Sequence, residues 1–473
     1  MSLGLVASLI VAALLGLLTI GSAGWSSARL PRQRPFLSAL AVGLGLGLSS
    51  SLFFVWLLLG APQATFPVAE LGLLVLLASA ALYAGRVPRA QHPDSRGSAA
   101  PGWHRWLALA LWLSLACTTA AFLLESATSR QGGWDAWMTW NMHARALFRG
   151  GEHWREVLTG LPAWSHPDYP LLVPGSVARI WTYMGRETPL APAAVAMLFT
   201  FGSAGLLYSS VSAVRSRTQG ALAALLLLGT KFFILHGTSQ YADIPLSFFL
   251  LATLALLSLT EVWTEDRRRL LVLAGVTAGL SAWTKNEGLL FILAVPLAYG
   301  LVIARARGWR HALDDVRGFA IGLAPVLVML VSFKIWLAPA NDLMSDQGLR
   351  QTAERLLEGT RYLQIFSGFK HAVLEVGAKG LTGLLLLAYL LCVGLAPAGP
   401  ARVGAKTAAI VLCLMLAGYT VVLLTAPAPL LGTNVRSINR LLLQLWPSML
   451  FAYFLSVRTA EEAGVVAPRL SHA

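Results

Sequence analysis

Residues 407–425 read TAAIVLCLMLAGYTVVLLT, a run without a single charged side chain. An apolar helix needs roughly 17 to 25 residues to cross the hydrocarbon of a bilayer, so this run predicts a transmembrane helix. The same rule predicts about thirteen spans along the chain. They begin near residues 3, 36, 66, 106, 191, 219, 243, 269, 287, 318, 377, 407 and 438. The sequence therefore predicts an all-α bundle of transmembrane helices.

Composition supports a membrane protein and excludes a soluble one. Of 473 residues, 56% are hydrophobic and only 12% are charged, whereas a soluble surface needs roughly a quarter of its residues charged. The net charge of +14 could indicate nucleic-acid binding, but the basic residues form short groups at span ends instead of one stripe. The expected surroundings are a lipid bilayer, and nucleic acid is not an expected partner.

The basic residues also predict the orientation of the spans, because Lys and Arg in short loops are retained in the cytoplasm. Every second connection is basic, which places the amino terminus outside and the carboxyl terminus inside. The first run could instead be a cleaved signal peptide, but no basic residue precedes it and Arg29 follows it. The basic connections contain Arg29, Arg32 and Arg34; Arg86, Arg89, Arg96 and Arg105; Arg215 and Arg217; Arg267 to Arg269; Arg305, Arg307 and Arg310; Arg402 and Lys406; and Arg458.

Two long outer connections divide the chain into four predicted segments. Residues 1–105 hold the first spans and a basic cytoplasmic loop, and residues 106–337 hold the core spans with the first outer connection, 126–190. Residues 338–376 form the second outer connection, and residues 377–473 hold the last spans and a cytoplasmic tail. Because long ordered connections usually bind or catalyse, we expect function to concentrate in the first of them.

The first outer connection begins GGWDAWMTWNMHARALFRGG at residues 132–151. Apolar residues recur there at helical spacing, which predicts an amphipathic helix in the membrane interface. Asp135 lies in its first turn, where the helix dipole favours a carboxylate that can accept a proton. The alternative is that Asp135 only starts the helix. Trp134 and Trp137 lie where a sugar ring or a prenyl chain could stack, although indoles also serve as interface anchors.

The same connection continues with AWSHPDYPLLVPGS at residues 163–176. Its three prolines exclude a long helix and predict a rigid turn that presents polar side chains. His166 could donate a hydrogen bond to a phosphate, and Tyr169 could stack on a sugar. Alternatively, Asp168 forms an Asx turn with its own backbone.

Two further polar clusters stand at the mouths of spans. Tyr241 and Asp243 precede and begin the seventh span, and Lys285, Asn286 and Glu287 precede and begin the ninth. Ionisable residues at membrane depth usually face a cavity or a partner. Lys285 could bind a lipid-borne phosphate, with the acidic residues positioning it or binding sugar hydroxyls. The alternative is a structural ion pair of Lys285 with Glu287 or Asp243.

Near the carboxyl terminus, Arg436 and Arg440 lie on neighbouring turns at the outer end of the last span. Basic residues are less expected on this side, so they are candidates for binding a phosphate. Snorkelling toward the interface is the simpler explanation.

Together, WDAW, HPDYP, YADIP and AGLSAWTKNEGLLF resemble the bacterial multi-spanning glycosyltransferases of the GT-C superfamily. These include the protein mannosyltransferase-like and aminoarabinose transferase-like proteins, and the resemblance covers residues 105 to 460. It implies an enzyme of the bacterial inner membrane with a periplasmic active site. A loop Asp that acts on the acceptor would correspond to Asp135, and basic residues that hold the lipid phosphate would correspond to Lys285 and Arg440.

The implied reaction moves a sugar from a polyprenyl phosphate to a hydroxyl of a glycan, lipid or protein acceptor. It requires a base near that hydroxyl and cations near the departing phosphate, and direct displacement would invert the anomeric carbon. Many members carry paired acidic residues in this loop, whereas Ala136 follows Asp135 here. That departure weakens the expectation of a divalent cation, so no cofactor and no metal ligand are predicted.

Two other functions remain open. A transporter or flippase would carry charges near mid-span and inverted repeats, whereas the charges here stand at outer span mouths. A polysaccharide polymerase or ligase would use a glycan on polyprenyl diphosphate, and the sequence separates it poorly from a transferase.

Overall fold

A computed structural model describes residues 3–22, 34–85, 103–339, 349–397, 399–427 and 437–464. Within these ranges the regular elements are helices, and there is also one isolated β-bridge between Leu395 and Val457. The predicted all-α fold class is confirmed. Arg29, Arg32, Arg86, Arg89, Arg96 and Arg436 lie outside the described residues.

The described helices follow one another along the chain without a sheet between them. They are α1 (Leu3–Ser22), α2 (Arg34–Leu58), α3 (Phe66–Gly85), α4 (Trp103–Thr128), α5 (Asn141–Arg149), α6 (Trp154–Thr159), α7 (Leu172–Met184), α8 (Leu190–Val214), α9 (Arg217–Leu228), α10 (Lys231–Thr238), α11 (Asp243–Leu259), α12 (Arg267–Thr284), α13 (Glu287–Arg307), α14 (Trp309–Trp336), α15 (Leu349–Leu357), α16 (Gly359–Val376), α17 (Leu381–Val393), α18 (Ala401–Thr425) and α19 (Ile438–Ser456).

Eight helices of the described chain are long and apolar enough to cross a membrane, or eleven if each of three bent pairs counts as one span. The predicted number of thirteen is not confirmed. Helix α9 has only 12 residues, about 18 Å at 1.5 Å per residue, and it turns by 62° into α10. Helices α11 and α12 pass the same test only as a pair bent by 116°.

Helix α11 is the centre of the bundle. Every residue from Asp243 to Leu259 is buried, and α8, α12, α18 and α19 pack around it. A helix that is apolar on all sides is expected in such a position. The carboxylate of Asp243 therefore begins a helix that is surrounded by protein.

Small residues let the helices around this centre approach closely. A Cβ at Gly275 of α12 would lie 2.0 Å from the backbone oxygen of Phe319 on α14, and one at Gly322 would lie 1.8 Å from that of Val272. Gly43 of α2 faces the ring of Phe248 in the same way. These contacts hold α12 close to α14, and α2 close to α11, along the middle of the helices.

The first outer connection is more helical than the sequence indicated. A π-helical turn, Ala136–Trp140, leads directly into α5. One face of this segment is buried, with Trp140, Ala144 and Leu147 in the core, and Arg149 is exposed. Trp140 thus packs inside the protein and is not an interface anchor.

Helix α7, in the second half of that connection, was not predicted. Ten of its residues are buried, and Arg179 donates from Nε to both carboxylate oxygens of Glu70 on α3 at 2.8 and 2.9 Å. Arg179 Nη2 also donates to the backbone oxygen of Ser8. This buried pair joins α1, α3 and α7.

The second outer connection also contains regular structure. Helices α15 and α16 occupy its described part, and α16 turns by 77° into α17. Helix α16 packs against α19, which carries Arg440.

Candidate functional site

Asp135 and Arg440 lie together at one end of the helix bundle. Arg440 Nη1 lies 2.6 Å from Asp135 Oδ2. Asp135 stands immediately before the π-helical turn, and Arg440 lies in the first turn of α19. The two side chains remain accessible, at 30% and 22% exposure, so a ligand could reach both.

Asp243 links this pair to the centre of the bundle. Its Oδ2 accepts from Arg440 Nη2 at 2.8 Å and Nε at 3.1 Å. Its Oδ1 accepts from Lys285 Nζ at 3.0 Å and from Gln444 Nε2 at 2.6 Å. A buried carboxylate needs such partners, because desolvating a charge without compensation is costly.

Lys285 lies between α12 and α13, where it contacts two carboxylates. Its Nζ is 2.8 Å from Glu287 Oε1 as well as 3.0 Å from Asp243 Oδ1. Burial alone would lower the pKa of Lys285, but the two carboxylates outweigh burial and raise that pKa above its usual range. The ion pairs that the sequence offered as an alternative are therefore both present. An incoming phosphate would have to displace a carboxylate from one of these cations, since Asp135, Asp243 and Glu287 share Arg440 and Lys285.

A second polar cluster adjoins the first through the chain neighbours Lys285 and Asn286. Asn286 Nδ2 donates to Asp168 Oδ2 at 2.7 Å. Lys334, on α14, donates to Asn286 Oδ1 at 2.7 Å and to the backbone oxygen of Asp168 at 2.6 Å. These hydrogen bonds connect the HPDYP turn, residues 166–170, to the beginning of α13 and to the last turn of α14.

Aromatic rings border both clusters. Tyr169 lies parallel to Trp140, with ring centroids 5.4 Å apart and planes at 8°, and 5.0 Å from the ring of His166. Burial raises the pKa of Tyr169. Lys285 Nζ is 5.8 Å from the centroid of the same ring. Tyr169 thus stacks on protein rings in this structure, and its ring is contacted by both His166 and Lys285.

Other predicted residues lie around the Asp135–Arg440 pair. The guanidinium of Arg440 stacks 4.8 Å above the ring of Tyr241. Burial, followed by the charge of Asp135, raises the pKa of Tyr241. Trp134 and Trp137 are exposed, at 67% and 47%, and meet edge to face. Both indoles are free to contact a lipid or a substrate beside Asp135.

Sequence reasoning missed Lys334, Gln444 and Tyr419. Gln444 also donates to Glu287 at 3.1 Å and accepts from the Tyr419 hydroxyl at 3.0 Å. Lys334 could have been predicted as a site residue, because it is a basic residue at the end of a span, like Arg440. Gln444 is one helical turn beyond Arg440 in the sequence, which places both on the same face of α19.

Within the described ranges, no group of three or more His, Cys, Asp or Glu side chains is arranged to hold a metal ion. The site brings together four carboxylates, on Asp135, Asp168, Asp243 and Glu287, and three cations, on Arg440, Lys285 and Lys334. The accessible carboxylate of Asp135 can accept a proton, and an anion can bond to Arg440 only by taking the place of a carboxylate.

Residues 166–336 match the family described as dolichyl-phosphate-mannose-protein mannosyltransferase. The match includes His166, Asp243, Lys285 and Lys334, but it ends before Arg440 and begins after Asp135. No curated protein and no solved structure matches the chain. Residues 166–336 are thus similar to a glycosyltransferase family of the GT-C type, and the apolar helices are those of a multi-pass membrane protein.

Proposed function

We propose that this protein transfers a sugar from a polyprenyl-phosphate donor to an acceptor hydroxyl at the periplasmic face of a bacterial inner membrane. The observation that carries the proposal is the contact of Arg440 with Asp135 and Asp243. In this contact the guanidinium of Arg440, a cation that can bind phosphate, touches the accessible carboxylate of Asp135. The family description, which names a lipid-phosphate-linked sugar, supports the donor class.

Arg440 and Lys285 bind the donor phosphate in this proposal, with His166 at the edge of the site. Phosphate is a good leaving group, so the reaction needs cations at the departing oxygen and no acid to protonate it. Asp243, buried between Arg440 and Lys285, holds both cations in place. Arg436 belongs to the same proposed group but lies outside the described residues.

Donor binding also prepares Asp135. Arg440 contacts Asp135 through Nη1 and Asp243 through Nη2 and Nε. A phosphate oxygen that takes the Nη1 contact leaves the Asp135 carboxylate without its cation and beside the acceptor. Because Asp243 holds the other side of the guanidinium, Arg440 keeps its position during this exchange.

The transfer is then a single displacement. Asp135 accepts the proton of the acceptor hydroxyl, whose oxygen forms a bond to the anomeric carbon. The bond from that carbon to the phosphate oxygen breaks, and polyprenyl phosphate leaves with the electron pair. Attack from the face opposite the phosphate inverts the anomeric configuration.

The remaining residues position the substrates in this proposal. Glu287 and Asn286 stand beside Lys285 and offer hydrogen bonds to sugar hydroxyls, and Asp168 orients Asn286. Tyr169 and Tyr241 form apolar walls under Lys285 and Arg440. Exposed Trp134 and Trp137 contact the prenyl chain or the sugar.

The test offers the purified full chain in nanodiscs a panel of polyprenyl-phosphate sugars and matched polyprenyl-diphosphate glycans, each together with a glycan, a lipid and a protein acceptor. Mass spectrometry measures the release of free polyprenyl phosphate or diphosphate. Release of monophosphate is the expected result. Release of diphosphate alone would establish a polymerase or ligase, and no release from any donor would reject a glycosyltransferase.

A further inference from the structure

A polar groove lies beside the proposed reaction centre, on the side of α19 that faces α16. It encloses a cavity of about 430 Å³, within the range of small-molecule sites. Asn439 of α19 is part of its wall, and the next residue is Arg440, which contacts Asp135. The groove lies outside residues 166–336.

One face of α16 forms the opposite wall. Gln364, Ser367, His371 and Glu375 recur at helical spacing, and all are exposed to the groove. Glu375 Oε2 accepts from Asn439 Nδ2 at 2.8 Å, which closes one end of the groove. Two small buried residues, Gly368 and Ala372, form its floor.

The chemistry of these walls selects a class of ligand. Amides, a hydroxyl and an imidazole supply both donors and acceptors, and the carboxylate of Glu375 supplies only acceptors. The residues that line the groove include no lysine or arginine, so a phosphate or another anion would meet no cation and one negative charge. An uncharged ligand with many hydroxyl groups satisfies the mixed donors and acceptors.

A third face of α16 is exposed and apolar. Leu363, Phe366 and Leu374 lie there, at 72%, 72% and 40% exposure. An apolar strip on a helix of a membrane protein faces lipid. The groove is therefore reachable from the membrane surface as well as from the aqueous phase.

We infer that this groove is a carbohydrate site that holds the sugar part of the acceptor beside Asp135. The assignment of the ligand as acceptor rests on the proposed transferase function, whereas the binding of a neutral sugar does not. The sugar is either free or carried on a lipid chain.

The test measures saturation transfer to sugar protons by NMR, with the full chain in phosphatidylcholine nanodiscs. The probes are free maltose, maltose carried on a dodecyl chain, and a Ser/Thr-rich peptide, each corrected against empty nanodiscs. The variant Gln364→Ala/His371→Ala removes two hydrogen-bonding groups, for which we expect binding about tenfold weaker. Lys370→Ala, on the adjacent face of α16 that carries Phe366 and Leu374, is the matched control, because Lys370 does not line the groove.

Saturation of maltose protons that is lost in the double variant and retained in Lys370→Ala would support the site. Preference between the two maltose probes distinguishes a free from a lipid-borne acceptor. Three results would each overturn the carbohydrate site. They are equal sugar signals in the wild type and the double variant, no sugar signal at all, and a groove-dependent signal from the peptide alone. Asp135→Asn should still bind the sugar. A protein that binds maltose through the groove but releases no polyprenyl phosphate would refute the transferase and keep the carbohydrate site.

Discussion

Arg440 contacts Asp135 at 2.6 Å while its other nitrogens bond to the buried carboxylate of Asp243. The guanidinium therefore connects an accessible carboxylate at the surface of the site to the centre of the helix bundle. The planar fork of an arginine does this with three nitrogens at fixed angles. The predictions for the site follow from this shared arginine.

Replacement of Asp135 by Asn should abolish most sugar transfer. Loss of a general base typically costs about 10²- to 10⁴-fold in rate, and the amide keeps the size of the side chain. The measurement is the initial rate of polyprenyl-phosphate release with the active donor. Asp314→Asn is the control, because Asp314 is 72% exposed in a surface pair. Full activity in Asp135→Asn would remove this residue as the base.

Replacement of Arg440 by Lys should weaken donor use while retaining the positive charge. An ammonium lacks the planar fork of the guanidinium, so a lysine would lose the geometry in which Nη1 contacts Asp135 while Nη2 and Nε bond to Asp243. Loss of one or two charge-assisted hydrogen bonds predicts a kcat/KM for the donor roughly 10- to 100-fold lower. Arg350→Lys, at a side chain that is 92% exposed, should behave as wild type. Equal kcat/KM in both variants would contradict the bridging role.

The buried pair of Arg179 and Glu70 should be essential for stability. Both side chains are inaccessible to solvent, and removal of one partner of a buried ion pair typically costs about 3–5 kcal/mol. We expect Arg179→Met to lower the thermal unfolding temperature in detergent strongly. The double variant Arg179→Met/Glu70→Gln should recover part of the loss, because it leaves no buried charge unpaired. A double variant less stable than either single one would contradict this explanation.

His143 should make the protein less stable in mild acid. Burial lowers its pKa from 6.5 to about 4, so the unfolded chain binds a proton in a pH range where the folded protein does not. The stabilisation is complete above pH 6.5 and is lost as pH falls from 6.5 toward 4, by up to roughly 3 kcal/mol. His143→Gln should flatten the fall of the unfolding temperature between pH 7 and pH 5, whereas His153→Gln, at an 80% exposed side chain, should not. An unchanged slope in His143→Gln would place the acid sensitivity elsewhere.

Glycine should be required at Gly275 and dispensable at Gly72. A Cβ at Gly275 would overlap the backbone of α14 at 2.0 Å, while one at Gly72 would meet nothing within 4 Å. Gly275→Ala should therefore separate α12 from α14 and lower the unfolding temperature. Gly72→Ala should be neutral or stabilising by up to about 1 kcal/mol, since alanine is the better helix former. Similar unfolding temperatures for the two variants would contradict the close packing.

The sequence alone determined that this chain is an all-helical membrane protein, because long apolar runs can satisfy their backbone in lipid only as helices or closed barrels. It also located Asp243, Lys285 and Arg440 as polar residues at span mouths, since charges in such places stand out from apolar surroundings, and it located Asp135 in the first long connection. Hydropathy did not settle the number of spans, because it records apolar length and is insensitive to the short α9 or the bend between α11 and α12.

Only the tertiary structure decided which of these residues meet. Asp135 and Arg440 come from distant parts of the chain, and their contact depends on how the π-helical turn Ala136–Trp140 lies relative to α19, which no local pattern encodes. The same holds for the pair of Arg179 and Glu70. Hydropathy detects a charged residue as an exception within an apolar run. Which residue pairs with that charge depends on how the helices pack, and small residues such as Gly275 permit their close approach.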